Sequence, residues 1–262
     1  MSAAAPLVRY ARSGDLGILT LENPPLNQIS AQLIADLLVA LAGVEADAGL
    51  RALLLRGEGK AFSAGADVDL FSGLGADDIR PLIGSFLDLG DRIEQLQLPT
   101  IAAVHGTCMG GGLELALFCD LIWAAEGTKL GFPETRLGIV PLAGGVERVA
   151  ARAGLGRARA LALGGDLHSA EDFLAWGVID HVVPADALLL RAEAVAQRLA
   201  SGPTRAYCVV KHLVQAYTKG GTASADALLL TETVDLFDTH DARTAIQTFL
   251  NEGPGKAAFA GR

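Results

Sequence analysis

Positive charge is scarce in this chain. Its 262 residues carry 21 Lys and Arg against 30 Asp and Glu, a formal net charge of -9. That balance excludes a general nucleic-acid binder, whose affinity comes from neutralised phosphates, though not a small anionic ligand held at a local site. Cysteine is sparse too. Cys108, Cys119 and Cys208 form an odd set without CxxC spacing, which excludes a disulfide framework and fits reduced, buried thiols in a cytoplasmic protein. The five histidines show no metal-ligand spacing with a matching acid, so no metal is expected. Long apolar runs are missing: the greasiest stretch, from Leu115 to Ala125, is interrupted by Asp120 and falls short of the about 18 residues a membrane span needs. The first residues, Met1-Ser-Ala-Ala-Ala-Pro6, lack the basic patch and apolar core of a secretory signal.

What is abundant is apolar surface and glycine. Hydrophobic residues make up 51% and there are 31 glycines, the composition of a compact α/β protein with many tight turns. Leu7 to Tyr10 and Ile18 to Leu21 flank a Ser-Gly-Asp-Leu-Gly turn and predict a hairpin. Ser30 is placed to cap a helix carrying Leu33, Leu37, Leu41 and Val44 at helical spacing. Short oily strands follow at 52–55, 101–104 and 121–124, alternating with helices over about 77–97 and 111–119, the former accommodating Pro81 only if it falls in the first turn. That order suits a parallel sheet with crossover helices. Ser169-Ala-Glu-Asp172 resembles a capping box with Asp in place of Glu or Gln; its helix ends near Gly177 and a strand-like run covers Val178 to Val183. Three further helices are expected after Pro203, around Ala225 to Phe237 and around Ala242 to Leu250. A boundary near residue 200 divides a 1–200 α/β core from a 201–262 helical region.

Two turns stand out chemically. Gly110, Gly111 and Gly112 lie between a predicted strand and a predicted helix, where the first helical N–H groups have no internal partner and can hold an anion or a developing oxyanion. No Gly-Lys-Ser/Thr follows and Gly-x-Gly-x-x-Gly is absent, so neither a P-loop nor a dinucleotide site is indicated. Spacing alone does not separate an anion-holding turn from a packing turn. Ser63-Ala-Gly-Ala-Asp67 is a second small-residue turn, with Gly65 letting the backbone fold tightly and the Ala66 amide potentially free. Asp67 would repel an oxyanion and is expected to turn away and cap. Of the acids, Glu114 sits among Leu113, Leu115, Ala116 and Leu117; burial there would raise its pKa toward what a general acid or base requires. Glu134 follows Pro133 and is either an aimed side chain or a loop acid paired with Arg136. Asp120 is expected to be structural, Cys108 to be inert packing, His105 to line a pocket, and Glu147 and Arg148 to face solvent or pair within their helix.

In order along the chain, Phe62-Ser-Ala-Gly-Ala-Asp67, Ile101-Ala-Ala-Val-His-Gly106, Gly110-Gly-Gly-Leu-Glu-Leu-Ala116, Phe132-Pro-Glu-Thr-Arg-Leu-Gly138 and Pro141-Leu-Ala-Gly-Gly-Val-Glu-Arg148 resemble successive signatures of the enoyl-CoA hydratase/isomerase (crotonase) family. The resemblance implies a spiral of ββα units with a C-terminal helical trimerisation region that also closes the pocket, assembled as a homotrimer or dimer of trimers. It implies an acyl-CoA thioester as substrate, with coenzyme A part of that substrate and no separate cofactor. Motif by motif, the oxyanion donors fall on the amides of Ala66 and Gly111, and the paired hydratase acids on Glu114 and Glu134. Coenzyme A contacts are expected along Ala64, Gly65, Ala66, Asp67 and Gly110, with Lys256 a candidate for a phosphate. Both acids being present favours hydration of a trans-2-enoyl-CoA over double-bond isomerisation, another crotonase-type lyase or hydrolase reaction, or a non-catalytic acyl-CoA binder. Leu142 stands where the family often has glycine and is expected to narrow the acyl pocket, whose wall involves the Phe71 to Phe86 region.

Overall fold

The computed structural model describes residues 5–262; residues 1–4, where the absence of a signal was read, lie outside that range. The predicted hairpin is present as β1 (Val8–Ser13) and β2 (Leu16–Leu21). With β3 (Ala52–Gly57), β4 (Thr100–Val104), β6 (Leu121–Ala125) and β9 (His181–Val183) they form a six-stranded sheet in the order β1-β2-β3-β4-β6-β9, parallel beyond the first pair. A second sheet of β5 (Thr107–Met109), β7 (Lys129–Gly131) and β8 (Leu167–Ser169) stands beside it. The sequence reading missed these three strands because three residues are too few to show a period.

The large sheet is oily on both sides because both sides are covered. Alternation along β3 sends Leu53 and Leu55 into the main core and Ala52 and Leu54 to the opposite face. Helix α1 (Ala31–Ala46) and α2 (Ala76–Gln95) pack in the main core through Leu33, Leu37, Leu41, Leu89 and Ile93. The Ser30 hydroxyl accepts from the Leu33 amide at 3.1 Å, the expected N-cap. On the other face α7 (Leu188–Ala200) presents Leu188, Ala192, Ala196 and Ala200, four residues apart, so small side chains let its axis approach the strands closely.

Four shorter helices follow in chain order, α3 (Gly111–Leu117), α4 (Gly145–Ala153), α5 (Leu155–Gly164) and α6 (Ala170–Ala175). The repeated passage from a strand of the large sheet to a strand of the small one and then a helix is the ββα spiral the resemblance implied, and α8 (Thr204–Leu228) and α9 (His240–Glu252) supply the helical C-terminal region. Ser169 and Asp172 form the reciprocal capping box of α6.

Some expectations need correction. Pro81 lies in the second turn of α2, not the first, because the helix opens at Ala76; its missing N–H leaves the Asp77 carbonyl without an intrahelical donor. The strand read over 178–183 is confined to 181–183, with Val178 and Ile179 buried in the core beside α6. The helix read at 225–237 is a continuation of α8 past a break at Gly221 (φ 70°, ψ -167°), followed by a π turn at Leu229–Thr233 and a 3-10 turn at Leu236–Asp238. Arg148 does not pair within its own helix: it bonds Glu94 of α2 at 2.7 Å and lies over the Phe118 ring. All three cysteines are buried and free. Asp120 is structural, accepting from the Thr100 amide and hydroxyl and from Lys211. Among the described residues no helix is long and apolar enough to cross a membrane, and no cluster of potential ligands could hold a metal ion.

Candidate active site

The two glycine-bearing turns lie side by side, locked by a parallel bridge. The Ser63 amide donates to Thr107 O (3.1 Å) and the Met109 amide to Ser63 O (3.2 Å). Only glycine permits this approach. A Cβ on Gly65 (φ 84°) would stand 2.9 Å from Met109 O, and one on Gly112 would stand 2.6 Å from Ser63 O.

Ala66 is oriented by a second bridge. The Ile29 amide donates to Gly65 O (2.8 Å) and the Asp67 amide to Ile29 O (3.1 Å), so Ile29 engages the residues on either side of Ala66 and the Ala66 N–H points away from it. Gly111 opens α3 and has no intrahelical acceptor. Ala66 and Gly111 both line one cavity of about 300 Å³, as do Ala64, Gly65, Gly110, Glu114 and Glu134. Asp67 turns aside, as read, and caps the 3-10 turn at Val68–Phe71 through the Asp69 amide. Lys256 is exposed beyond α9 and is not part of the cavity wall. Neither is His105, whose ring pairs with Gly59 O. Among the described residues, none after Leu142 lines the cavity.

A positioning residue went unread. Asn27, buried in the connector before α1 with φ 49°, donates from Nδ2 to Glu58 O (2.8 Å) and Ala61 O (2.9 Å), and its carbonyl accepts from the Ser63 hydroxyl (2.7 Å). It ties the Ser63–Asp67 turn to the segment carrying Ile29. The available signal was the Asn-Pro-Pro-Leu-Asn string, since asparagine is the residue after glycine that most readily takes a left-handed backbone.

The two glutamates occupy different surroundings. Glu114, 1% exposed, closes the N-terminal end of α4: its Oε1 accepts from Ala143 N (2.6 Å) and Gly145 N (2.9 Å), and its Oε2 from Leu142 N at 3.3 Å. Burial raises its pKa, and these three amides oppose that rise without reversing it. Oε1 is saturated, and Oε2, with a single long bond, keeps capacity for another donor. A Cβ on Gly145 would fall 2.8 Å from Glu114 Cγ, so glycine is what admits the carboxylate there.

Glu134 lies in a 3-10 turn, Pro133–Leu137, beginning at the proline. Arg136 is bonded to Asp166, not to Glu134. Glu134 Oε2 is buried without a hydrogen-bond partner, and Oε1 would be 2.6 Å from a Cβ on Gly110. Burial pushes its pKa up to about 7, its own backbone amide opposing and the nearby Glu114 charge adding. The pocket thus holds one carboxyl titrating near neutrality and one fixed by amides, facing the same space as two turn amides.

The chain matches the family model described as enoyl-CoA hydratase/isomerase over residues 12–261. It is 35% identical over 242 residues to a probable enoyl-CoA hydratase of Bacillus subtilis (strain 168), covering 90% of this chain and 93% of that protein. It is 32% identical to a mitochondrial enoyl-CoA hydratase of Pongo abelii, covering 93% and 84%. A Geobacillus kaustophilus HTA426 crystal structure named enoyl-CoA hydrates subunit I superposes with a TM-score of 0.91 at 31% identity, covering 98% of each chain.

Proposed function

The chain belongs to the enoyl-CoA hydratase/isomerase family, and we propose that within it this protein adds water across the 2,3 double bond of a trans-2-enoyl-CoA to give a 3-hydroxyacyl-CoA. The observation that carries the reading is the pairing of Glu134, with an unpartnered buried oxygen, and Glu114, with one oxygen left available, on the wall shared by the Ala66 and Gly111 amides. The two amides take the thioester oxygen and withdraw electron density from C3. Glu114 Oε2 accepts the proton of a water whose oxygen attacks C3. Glu134, protonated, delivers a proton to C2 as the enolate collapses. The two acids exchange influence through their charges, so their titrations belong to the pair. Isomerisation would need one carboxyl shuttling a proton between C2 and C4; a second acid held by three amides has no task there.

Crotonyl-CoA hydration, followed by loss of the conjugated thioester absorbance, tests this. Glu114→Gln and Glu134→Gln should each lower kcat by about 10²–10⁴-fold with acyl-CoA binding retained. Normal hydration by both variants, or turnover of a 3-enoyl-CoA alone, would remove the proposal. For assembly, the C-terminal region leaves Leu230, Phe237 and Leu250 between 67% and 82% exposed. We propose that a second copy covers them, in the trimer or dimer of trimers, in the cytoplasm; light scattering of the purified protein checks the mass.

A further inference from the structure

The turn that holds Glu114 is itself held, from the side away from the carboxylate, by Arg148. One of the bonds to Glu114 comes from the Gly145 N–H (2.9 Å), and the carbonyl of that same peptide unit belongs to Gly144. A peptide is planar and trans, so its C=O and N–H point in opposite directions. Arg148 bonds the carbonyl side of this plane twice, from its backbone amide (3.1 Å) and from Nη1 (3.3 Å), and Nη1 also donates to Ala143 O (3.1 Å). A guanidinium, a peptide dipole and a carboxylate are thus linked in series, each polarising the next. The guanidinium is fixed in turn. Its Nε and Nη2 donate to Glu94 of α2 (2.7 and 3.1 Å), and its Cζ lies 4.7 Å from the ring centre of buried Phe118. Gly144 (φ 81°) makes room for it, since a Cβ there would collide with Nη1. Neither Arg148 nor Glu94 lines the cavity.

We infer that Arg148 is a positioning residue for Glu114: anchored by Glu94, it clamps the Ala143–Gly145 turn whose amides fix Oε1, and so keeps Oε2 aimed into the cavity. The inference rests on the acid–base reading above and deepens it, adding a side chain that touches no reacting atom. Among the described residues, the charges that bear on Glu114 are Arg148, which favours its carboxylate form, and Glu134 on the 3-10 turn, with which it shares a mutual repulsion. Glu94 offsets the charge of Arg148, and Glu147 of α4 approaches the same turn at Gly144. Lysine could not take over the whole task, because a single ammonium has no planar fork to span Glu94 and two carbonyls together.

Infrared titration reads the clamp without turnover. In a Glu134→Gln background, the carboxylic C=O stretch that vanishes on Glu114→Gln belongs to Glu114. Its midpoint should move to higher pH in Arg148→Met, where cation and clamp are both gone. Glu94→Gln preserves shape and an acceptor for Nε at a side chain 33% exposed, and removes only the opposing charge, so the midpoint should move to lower pH. For hydration, Arg148→Met should lower kcat by about 10- to 100-fold with KM unchanged, and Arg148→Lys should recover the midpoint without the full kcat. Should Arg148→Met fail to fold, Glu94→Gln and Arg148→Lys carry the test. A midpoint unmoved in either Arg148→Met or Glu94→Gln, or moved the same way by both, would overturn the inference and leave the pair a structural one. Crotonyl-CoA hydration by the unsubstituted protein separates the failures. Midpoints that shift as stated without hydration would remove the hydratase reading and leave the clamp; hydration with unmoved midpoints would do the reverse.

Discussion

Replacing Glu134 by Gln should sacrifice activity and change how stability responds to pH. The carboxyl titrates at about 7 in the folded protein against 4.5 for the ordinary side chain. Between those values the folded state binds the proton and the unfolded state does not, so stability falls as pH rises: it is full below about 4.5 and its loss is complete above about 7. At about 1.36 kcal/mol per pH unit the loss integrates to about 3 kcal/mol. Partial access of water to this half-buried residue screens the charge, so roughly 1–3 kcal/mol is the expected range. Gln carries no titrating proton. Urea unfolding at pH 5 and pH 8, at fixed protein concentration, should show the wild type losing that much more stability than Glu134→Gln over the interval. Using the difference between the two proteins cancels the other titrating groups and the fixed cost of burying an amide. Equal losses in both would refute the reasoning, because Glu134 would then be an ordinary solvated acid, unfit to carry a proton at neutrality.

Three further outcomes follow from the same geometry. For hydration, kcat/KM should fall about tenfold per pH unit above about 7, where Glu134 loses the proton it donates; a profile flat to pH 9 would contradict the assignment. Gly112→Ala should cost about 1–3 kcal/mol and depress hydration, since its Cβ would press on the Ser63 backbone and push the two turns apart; thermal unfolding and kcat read the two effects. Lys211→Ala should cost about 1–3 kcal/mol in urea unfolding while sparing kcat, because buried Lys211 bonds the buried Leu98 O and the part-buried Asp120 at 2.9 Å, and none of the three lines the cavity.

The sequence carried many of the longer elements, although α7, thirteen residues with Leu188, Ala192, Ala196 and Ala200 four apart, went unread. α1 announced itself through Ser30 and four leucine or valine positions, and α6 through its capping box even with Asp172 as the third residue. What else escaped was tertiary. β5, β7 and β8 have three residues each and are held by a bridge to Ser63, an antiparallel pairing to β8 and the Gly131 backbone. The Gly221 break gave no sign, because a glycine with positive φ and one in a regular helix look alike in a sequence. Arg148 reached Glu94, 54 residues away, where local spacing offered only Glu147.

The candidate site divides along the same line. Which residues meet was open to motif reading, since Ala66, Gly111, Glu114 and Glu134 sit in strings whose order resembles a family. How the two acids differ was not. The amides that hold Glu114 belong to Leu142, Ala143 and Gly145, 28 to 31 residues downstream, and they reach it only because α4 begins where α3 buries its acid. Glu134 Oε2 is left without a partner, and Arg136, two residues on, turns to Asp166. Burial raises the pKa of both carboxyls, and only at Glu114 do three neighbouring amides from another segment oppose it. The proposed division of acid and base therefore rests on donors that each position supplies or withholds, and those donors come together only in the folded chain.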